Sequence, residues 1–294
     1  MSRRSLFKWT ISAVALAAGS FMASATLGSH FRTTPVAGVA WPGLMPPAEP
    51  RMRLPSPFAD MAGTAFSVAP GVLVTNAHVT LPCSLAHRPI QVAGYQAAWQ
   101  VVRQDQDLDL ALLRGPDDPA VAPLAVSAAS QIVRGTRALV LGFPADAASD
   151  AAYGVVGRVQ RAAIVIHRPG SGQAESFRIM DRMGQPVDPT WQDGAAFFGR
   201  AGAGRMRWAL EIAATIGHGA SGGPIVDGLG NVVGVIVADG TSAGSVSAIP
   251  VADLVDFLGA AGIIPRFASP PQADEIDWRR AYRRAAPSVV RLGC

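Results

Sequence analysis

Three side chains in this sequence have the types that nucleophilic acyl transfer needs, and each lies in a distinctive local string. Ser221 sits in Gly217-His-Gly219-Ala-Ser221-Gly-Gly-Pro-Ile-Val226. A serine hydroxyl is a weak nucleophile until a base takes its proton. The glycines around Ser221 permit a tight turn at little steric cost. Such a turn can aim successive backbone N–H groups at one point, as an oxyanion hole requires. His78 closes the string Thr75-Asn76-Ala77-His78, and an imidazole is suited to proton transfer near neutral pH. Asp109 opens Asp109-Leu-Ala-Leu-Leu113. A carboxylate at the mouth of a buried strand needs partners, and a histidine N–H is one. Asp105 and Asp107 are rival carboxylates. Asp109 is preferred because it directly precedes the apolar run and should be the least exposed of the three.

The elements that would position these residues read as strands. Gly63–His78 alternates around Pro70-Gly71, the pattern of a β-hairpin whose second strand delivers His78 at its end, ahead of a loop. Past Ser221, the strand Pro224–Val226 leads through Gly228-Leu-Gly-Asn231 into a second apolar strand, Val232–Ala238. Chain order then separates the serine-hydrolase designs. Gly219-Ala-Ser221-Gly-Gly223 also fits the nucleophile elbow of α/β-hydrolases, but that design needs its histidine after the serine. The histidines are at 30, 78, 87, 167 and 218, and none follows Ser221. The subtilisin order would need Asp60, which lies in a Pro-rich stretch without a supporting motif. His, Asp, Ser is the chymotrypsin order.

Taken together, Thr-Asn-Ala-His78, Asp109-Leu-Ala-Leu-Leu and Gly-Ala-Ser221-Gly-Gly-Pro resemble the trypsin/chymotrypsin superfamily, in its bacterial branch related to HtrA-type proteases. The likeness covers about residues 63–260. It implies an all-β fold of two six-stranded antiparallel β-barrels, about 61–125 and 126–262, in a protease domain spanning 61–262. Residues 263–294 would add a C-terminal helix and tail strand. It implies a serine endopeptidase with His78, Asp109 and Ser221 as triad, and the N–H groups of Gly219 and Ser221 as oxyanion donors. It implies protein or peptide substrates and neither metal nor cofactor. The specificity pocket would be lined near Thr215, Ile216, Val237, Ala238 and Asp239. With no acid at the expected pocket base, a small or medium apolar P1 residue is expected rather than Arg or Lys. The alternatives are a catalytically silent protease-fold binding protein and an oligomeric quality-control protease.

The chain departs from the family in three places. With 32 residues after Gly262, no PDZ domain is expected. Residues 168–206, rich in Gly and polar residues, read as a surface insertion, with a lid over the cleft as the sharper reading. The tail is the third. Ala273–Ala286 reads as a helix with Trp278, Tyr282 and Ala285 on one side. The following Ala285-Ala-Pro-Ser-Val-Val-Arg-Leu-Gly-Cys294 resembles the first strand of an HtrA-type domain, which normally precedes the hairpin. The tail is therefore expected to return and fill that first-strand slot. That placement would bring Cys294 to Cys83, five residues past His78, where the two could form a disulfide.

Bulk properties set the context. Across 294 residues the chain is 49% hydrophobic and 16% charged, enough for a real core. Of the formal +4 charge, Arg3, Arg4 and Lys8 supply three in an N-terminal segment without acids, leaving +1 elsewhere. Nothing there argues for a nucleic-acid partner. Ser2-Arg3-Arg4-Ser5-Leu6-Phe7-Lys8 resembles a twin-arginine export signal. The apolar run from Trp9 ends at Ala23-Ser24-Ala25, a small-x-small cleavage signature. Residues 1–25 are thus expected to be a removable address, and a membrane association only if uncleaved. Residues 26–60, with seven prolines, read as an extended segment leading to the domain.

Overall fold

The structure is a computed structural model that describes residues 63–294 apart from 118–120, 129–133, 146–150, 168–173, 178, 181–182, 184–185, 188–204, 240–243 and 270–275. The side chains of 161–167, 174–177, 179–180, 186–187, 205–208 and 238–239 are also outside the description. The expected export signal and Pro-rich segment therefore lie outside the described residues, as does most of the 168–206 insertion.

Two β-sheets make the body of the domain. The first is built from β1 (Gly63–Ala69), β2 (Val72–Thr75), β3 (Gln91–Val92), β4 (Gln100–Asp105) and β5 (Leu110–Arg114). β1 and β2 form the hairpin expected at Pro70-Gly71, with Gly71 supplying the positive φ (+63°) of the turn. Both faces of these strands are buried, and the period of two divides their side chains between two cores. Ala65, Leu73 and Leu113 point into this sheet's own core with Trp99, Leu292 and Cys83. Phe66, Val72, Val74, Leu110 and Leu112 point the other way, into a core shared with the second sheet.

The second sheet takes β6 (Val126–Ser127), β7 (Arg137–Gly142), β8 (Tyr153–His167), β12 (Arg205–Ala213), β13 (Pro224–Val226), β14 (Val232–Asp239), β15 (Ser245–Pro250) and β16 (Phe267–Ala268). Between β8 and β12 lie β9 (Ala174–Phe177), β10 (Ile179–Met180) and β11 (Pro186–Val187). The order β13-β7-β8-β12-β15-β14 closes on itself through β13–β14, a six-stranded barrel. Val140, Val155, Ile212, Ile225, Ile236 and Val246 fill it. Of the two barrels expected, this one is closed and the first sheet is a half-barrel; together they make the expected chymotrypsin-like fold.

The tail completes the first sheet. β17 (Val289–Gly293) pairs antiparallel with β1, matching Gly63 to Leu292 and Phe66 to Val289, and pairs with β3 on its other edge. The sheet order becomes β3-β17-β1-β2-β5-β4, and an Ile90–Trp99 bridge draws its outer strands together. The first-strand slot is thus filled from the far end of the chain.

Among the described residues three α-helices attach to this body: α1 (Ala77–Leu85), α2 (Val251–Ala260) and α3 (Trp278–Ala285). α3 starts later than the Ala273 expected, because the Asp277 carboxylate caps it by accepting from the N–H groups of Arg279 and Arg280. Its Trp278, Ala281 and Ala285 enter the shared core. The Tyr282 hydroxyl donates to the Ala152 carbonyl (2.6 Å), and burial pushes its pKa up, so it stays a donor. Gly154 lets this ring lie against β8, since a Cβ there would come within 2.9 Å of it.

Cys83 of α1 and Cys294, just past β17, form a disulfide with Cα atoms 5.6 Å apart. It closes a loop of 211 residues and ties the tail strand to the helix that carries His78. Removing a native disulfide commonly costs about 2–5 kcal/mol, and long loops lie at the upper end. Cys294→Ser is expected to lower unfolding stability in denaturant by that amount. Reductant should bring the wild type to the same midpoint as the variant.

Candidate active site

His78 and Asp109 are set against each other by one local exchange of hydrogen bonds. β2 ends at Thr75, and the chain turns at Asn76 directly into α1. His78 therefore stands on the first turn of a helix rather than at the strand end, ahead of a loop, expected from the sequence. The Asn76 side chain does not cap this helix. Its amide donates instead to the Asp109 carbonyl (2.8 Å), which also accepts from the Ala77 N–H (3.2 Å).

Asp109 is 8% exposed, and both of its carboxylate oxygens are used. Oδ1 accepts from the His78 backbone N–H (2.9 Å), and Oδ2 meets His78 Nδ1 at 2.7 Å. Asp109 adopts φ +59°, a left-handed conformation that aspartate tolerates better than most side chains. The conformation turns the carboxylate back over α1 just before β5 enters the core. Asp105 is spent elsewhere, accepting from the N–H groups of Asp107 and Leu108 in the turn that leads to Asp109. The preferred acid of the three is the one that meets the histidine.

The His78 ring is half-exposed, and with Nδ1 held by Asp109 its Nε2 is the edge left for other chemistry. His78 and Ser221 line one cleft of about 280 Å³. Its remaining walls are Gly217 and His218 of the serine string and the apolar side chains of Ile216, Ile236 and Val246. No hydrogen bond joins Ser221 to His78 among the described contacts, as is common before substrate tightens such a site.

Ser221 lies in a turn that is bonded on every side. The Gly223 N–H donates to the Ala220 carbonyl (2.9 Å), and Gly222 N–H and Gly223 C=O pair with the backbone of Ile236 (both 2.9 Å). The Ser221 carbonyl accepts from Thr64 N–H of β1 (2.9 Å). At Gly222, φ is +84°, and a Cβ would collide with the Thr64 carbonyl oxygen and the Thr75 hydroxyl. The His218 carbonyl accepts from Ala145 N–H (2.7 Å). A trans peptide carries its N–H opposite its C=O. Fixing the His218 carbonyl therefore turns the Gly219 N–H away from Ala145. Gly219 itself has φ +93°, and a Cβ would come within 2.6 Å of the Phe143 carbonyl oxygen.

The residues anticipated for a specificity pocket divide. Ile216 is on the cleft wall. Thr215 is exposed and does not line the cleft. Val237 packs toward the core shared by the two sheets. The side chains of Ala238 and Asp239 lie outside the described residues. The alternation of a strand explains the displacement of Val237, since its neighbour Ile236 takes the cleft face. Val246 of the adjacent β15 completes that wall. Thr64 is a further contributor not singled out in the sequence. The signal for it was a hydroxyl side chain on a strand otherwise buried on both faces. Among the described residues no group of three or more His, Cys, Asp or Glu side chains could hold a metal.

Comparison with known proteins supplies the family. No curated protein sequence matches the chain. Solved structures similar to it include the active form of the Rv3671c protease from M. tuberculosis, 22% identical, covering 70% of this chain and 76% of that one at a TM-score of 0.48. The HtrA-type protease AlgW with a decapeptide is 22% identical over 68% of this chain and 52% of that one, with a TM-score of 0.43. The serine endoprotease from Yersinia pestis is 16% identical over 69% of this chain and 63% of that one, also at 0.43. The family model described as the trypsin-like peptidase domain matches residues 63–235, more than half of the sequence. The chain belongs to the trypsin-like peptidase family and is a serine protease.

Proposed function

We propose that the protein is an exported serine endopeptidase in which Ser221 is the nucleophile, His78 the general base and Asp109 the group that orients it. The observation that carries this reading is the Asp109–His78 pair on the wall of the cleft that Ser221 also lines. With Nδ1 bound to Asp109, His78 presents Nε2 as proton acceptor. The Ser221 hydroxyl passes its proton there as Oγ bonds to the carbonyl carbon of the substrate. The carbonyl oxygen becomes an oxyanion, received by the N–H groups of Gly219 and Ser221. Collapse breaks the C–N bond, and His78 returns the proton to the leaving amine. Water then repeats the sequence on the acyl ester, with His78 again as base. The Asp109 carboxylate stabilises the imidazolium formed in each half-reaction.

A fluorophosphonate is expected to label the wild type at Ser221 and to leave Ser221→Ala unlabelled. Asp109→Asn is expected to slow peptide hydrolysis by about four orders of magnitude. Absence of labelling in the wild type would favour a protease-fold binding protein.

Ile216, Ile236 and Val246 support a small or medium apolar P1 residue, because none of them offers a counter-charge to a basic side chain. In a peptide library, cleavage is expected to follow such residues. Dominance of Arg or Lys at P1 would overturn this specificity.

Export is supported by the twin arginines at 3 and 4, the small-x-small site ending at Ala25, and the Cys83–Cys294 disulfide, which suits an oxidising compartment. The secreted or periplasmic protein is expected to start at Thr26 on N-terminal sequencing. A protein retained in the cytoplasm with Met1 or Ser2 at its start would refute this part.

A further inference from the structure

We infer that the Thr64 hydroxyl is a positioning group for the oxyanion-binding turn, holding Gly219 in the orientation that aims its N–H at the cleft. The inference rests on the reading of Gly219 and Ser221 as the oxyanion donors.

Gly219 lies between two peptide planes, and each is anchored by its carbonyl. The preceding plane is held by Ala145 N–H on the His218 oxygen (2.7 Å). The following plane is held by Thr64 Oγ1, which donates to the Gly219 oxygen (2.8 Å). Glycine has no side chain to restrain it, and at φ +93° it is free to leave this conformation. The first bond fixes the plane that carries the Gly219 N–H, and the second fixes the plane on the other side of its Cα, so that the glycine cannot swing about that Cα and carry the N–H with it.

The hydroxyl has a defined direction of its own. It accepts from Phe143 N–H (2.9 Å), which commits its proton to Gly219. Phe143 and Ala145 thus grip Gly219 from both sides, one directly and the other through Thr64. The rest of Thr64 is fully engaged. Its N–H donates to the Ser221 carbonyl (2.9 Å), and its carbonyl accepts from the Thr75 hydroxyl (2.7 Å). The residue has 0% exposure, so water cannot replace a lost bond without rearrangement. Thr64 touches neither substrate nor the reacting atoms. It acts through Gly219, and through the Ser221 backbone, on the two proposed oxyanion donors.

Thr64→Val keeps the branched shape and removes the hydroxyl. It leaves the Phe143 N–H and the Gly219 carbonyl without a partner, which favours rotation of the glycine peptide. The apolar cleft wall and the His78–Asp109 pair are untouched. The variant is expected to lose about two to three orders of magnitude in kcat, the usual effect of losing one oxyanion donor. KM should stay within about twofold, because ground-state binding is made elsewhere. Affinity for a peptide boronate should fall in step with kcat/KM, while affinity for a product peptide holds. The pH–rate profile should keep its position. Thr64→Ser, which restores the hydroxyl, should recover kcat to within about fivefold of wild type.

A folded Thr64→Val protein with wild-type kcat and boronate affinity overturns the inference. So does a variant that fails to fold, or a Thr64→Ser protein as impaired as Thr64→Val, since either gives Thr64 a purely structural task. Fluorophosphonate labelling of the wild type keeps the two questions separate. Wild-type labelling at Ser221 with an unimpaired Thr64→Val refutes only the role of Thr64, whereas no labelling refutes the underlying assignment of the site.

Discussion

The Ser221 carbonyl accepts a hydrogen bond from the backbone N–H of Thr64, and this bond registers one sheet against the other. His78 and Asp109 come from the first sheet and its helix, while Ser221 comes from the second. The apolar core between them, with Phe66 and Leu112 on one side and Leu139 and Leu141 on the other, supplies adhesion. Apolar burial is non-directional, and several slightly shifted packings would bury similar area. Hydrogen bonds have narrow distance and angle ranges and select one of them. The close approach leaves no space for a side chain at Gly222, whose Cβ would strike Thr64.

Asp109 shows the same economy in a charged group. A buried carboxylate without partners is costly in its ionised form. Here both oxygens are met by one residue, His78, through its backbone N–H and its ring. Asn76 and Ala77 fasten the Asp109 carbonyl, so the backbone is pinned as well as the side chain. The left-handed φ of Asp109 is the conformational cost of that arrangement, of order 1–3 kcal/mol for such a residue. The same contacts that compensate for burial give the imidazole its tautomer and direction.

Much of this was legible in the sequence because it is local. The hairpin at Pro70-Gly71, the apolar run after Asp109 and the glycines around Ser221 each state their conformation within a few residues. The order of His78, Asp109 and Ser221 separated the serine-hydrolase designs, and the strand-like tail announced a place in the first sheet. What was not legible depends on distant partners. Thr64 reads as one more strand residue until Gly219, 155 positions later, is brought against its hydroxyl. The start of α1 at Ala77 was hidden because Asn76, which looks like an ordinary loop residue, is occupied by the carbonyl of Asp109. Val237 was placed near the cleft by the family resemblance, which does not tell one position of the strand from its neighbour. The pairing of β14 with β15 shifts register between Ile236 and Ala238, and alternation puts Ile236 on the wall instead.

The pairing of β1 with β17 also sets the timing of assembly. A chain made from its N-terminus exposes β1 early, yet the strand that covers one of its edges is made more than two hundred residues later. Contacts between such distant segments are slow to form, because a long loop must close before they reward it. Until then β1 offers an unpaired edge, the kind of surface on which strands from other chains can assemble. Thr64 lies on that same strand, opposite Arg291 in the completed ladder. The Arg291 guanidinium also sits over the Phe143 ring (5.2 Å), so the late strand reaches the segment that grips Gly219. The last part of the fold to arrive is therefore the part that stiffens the first, and a nascent chain has its serine turn long before it has the finished wall behind it.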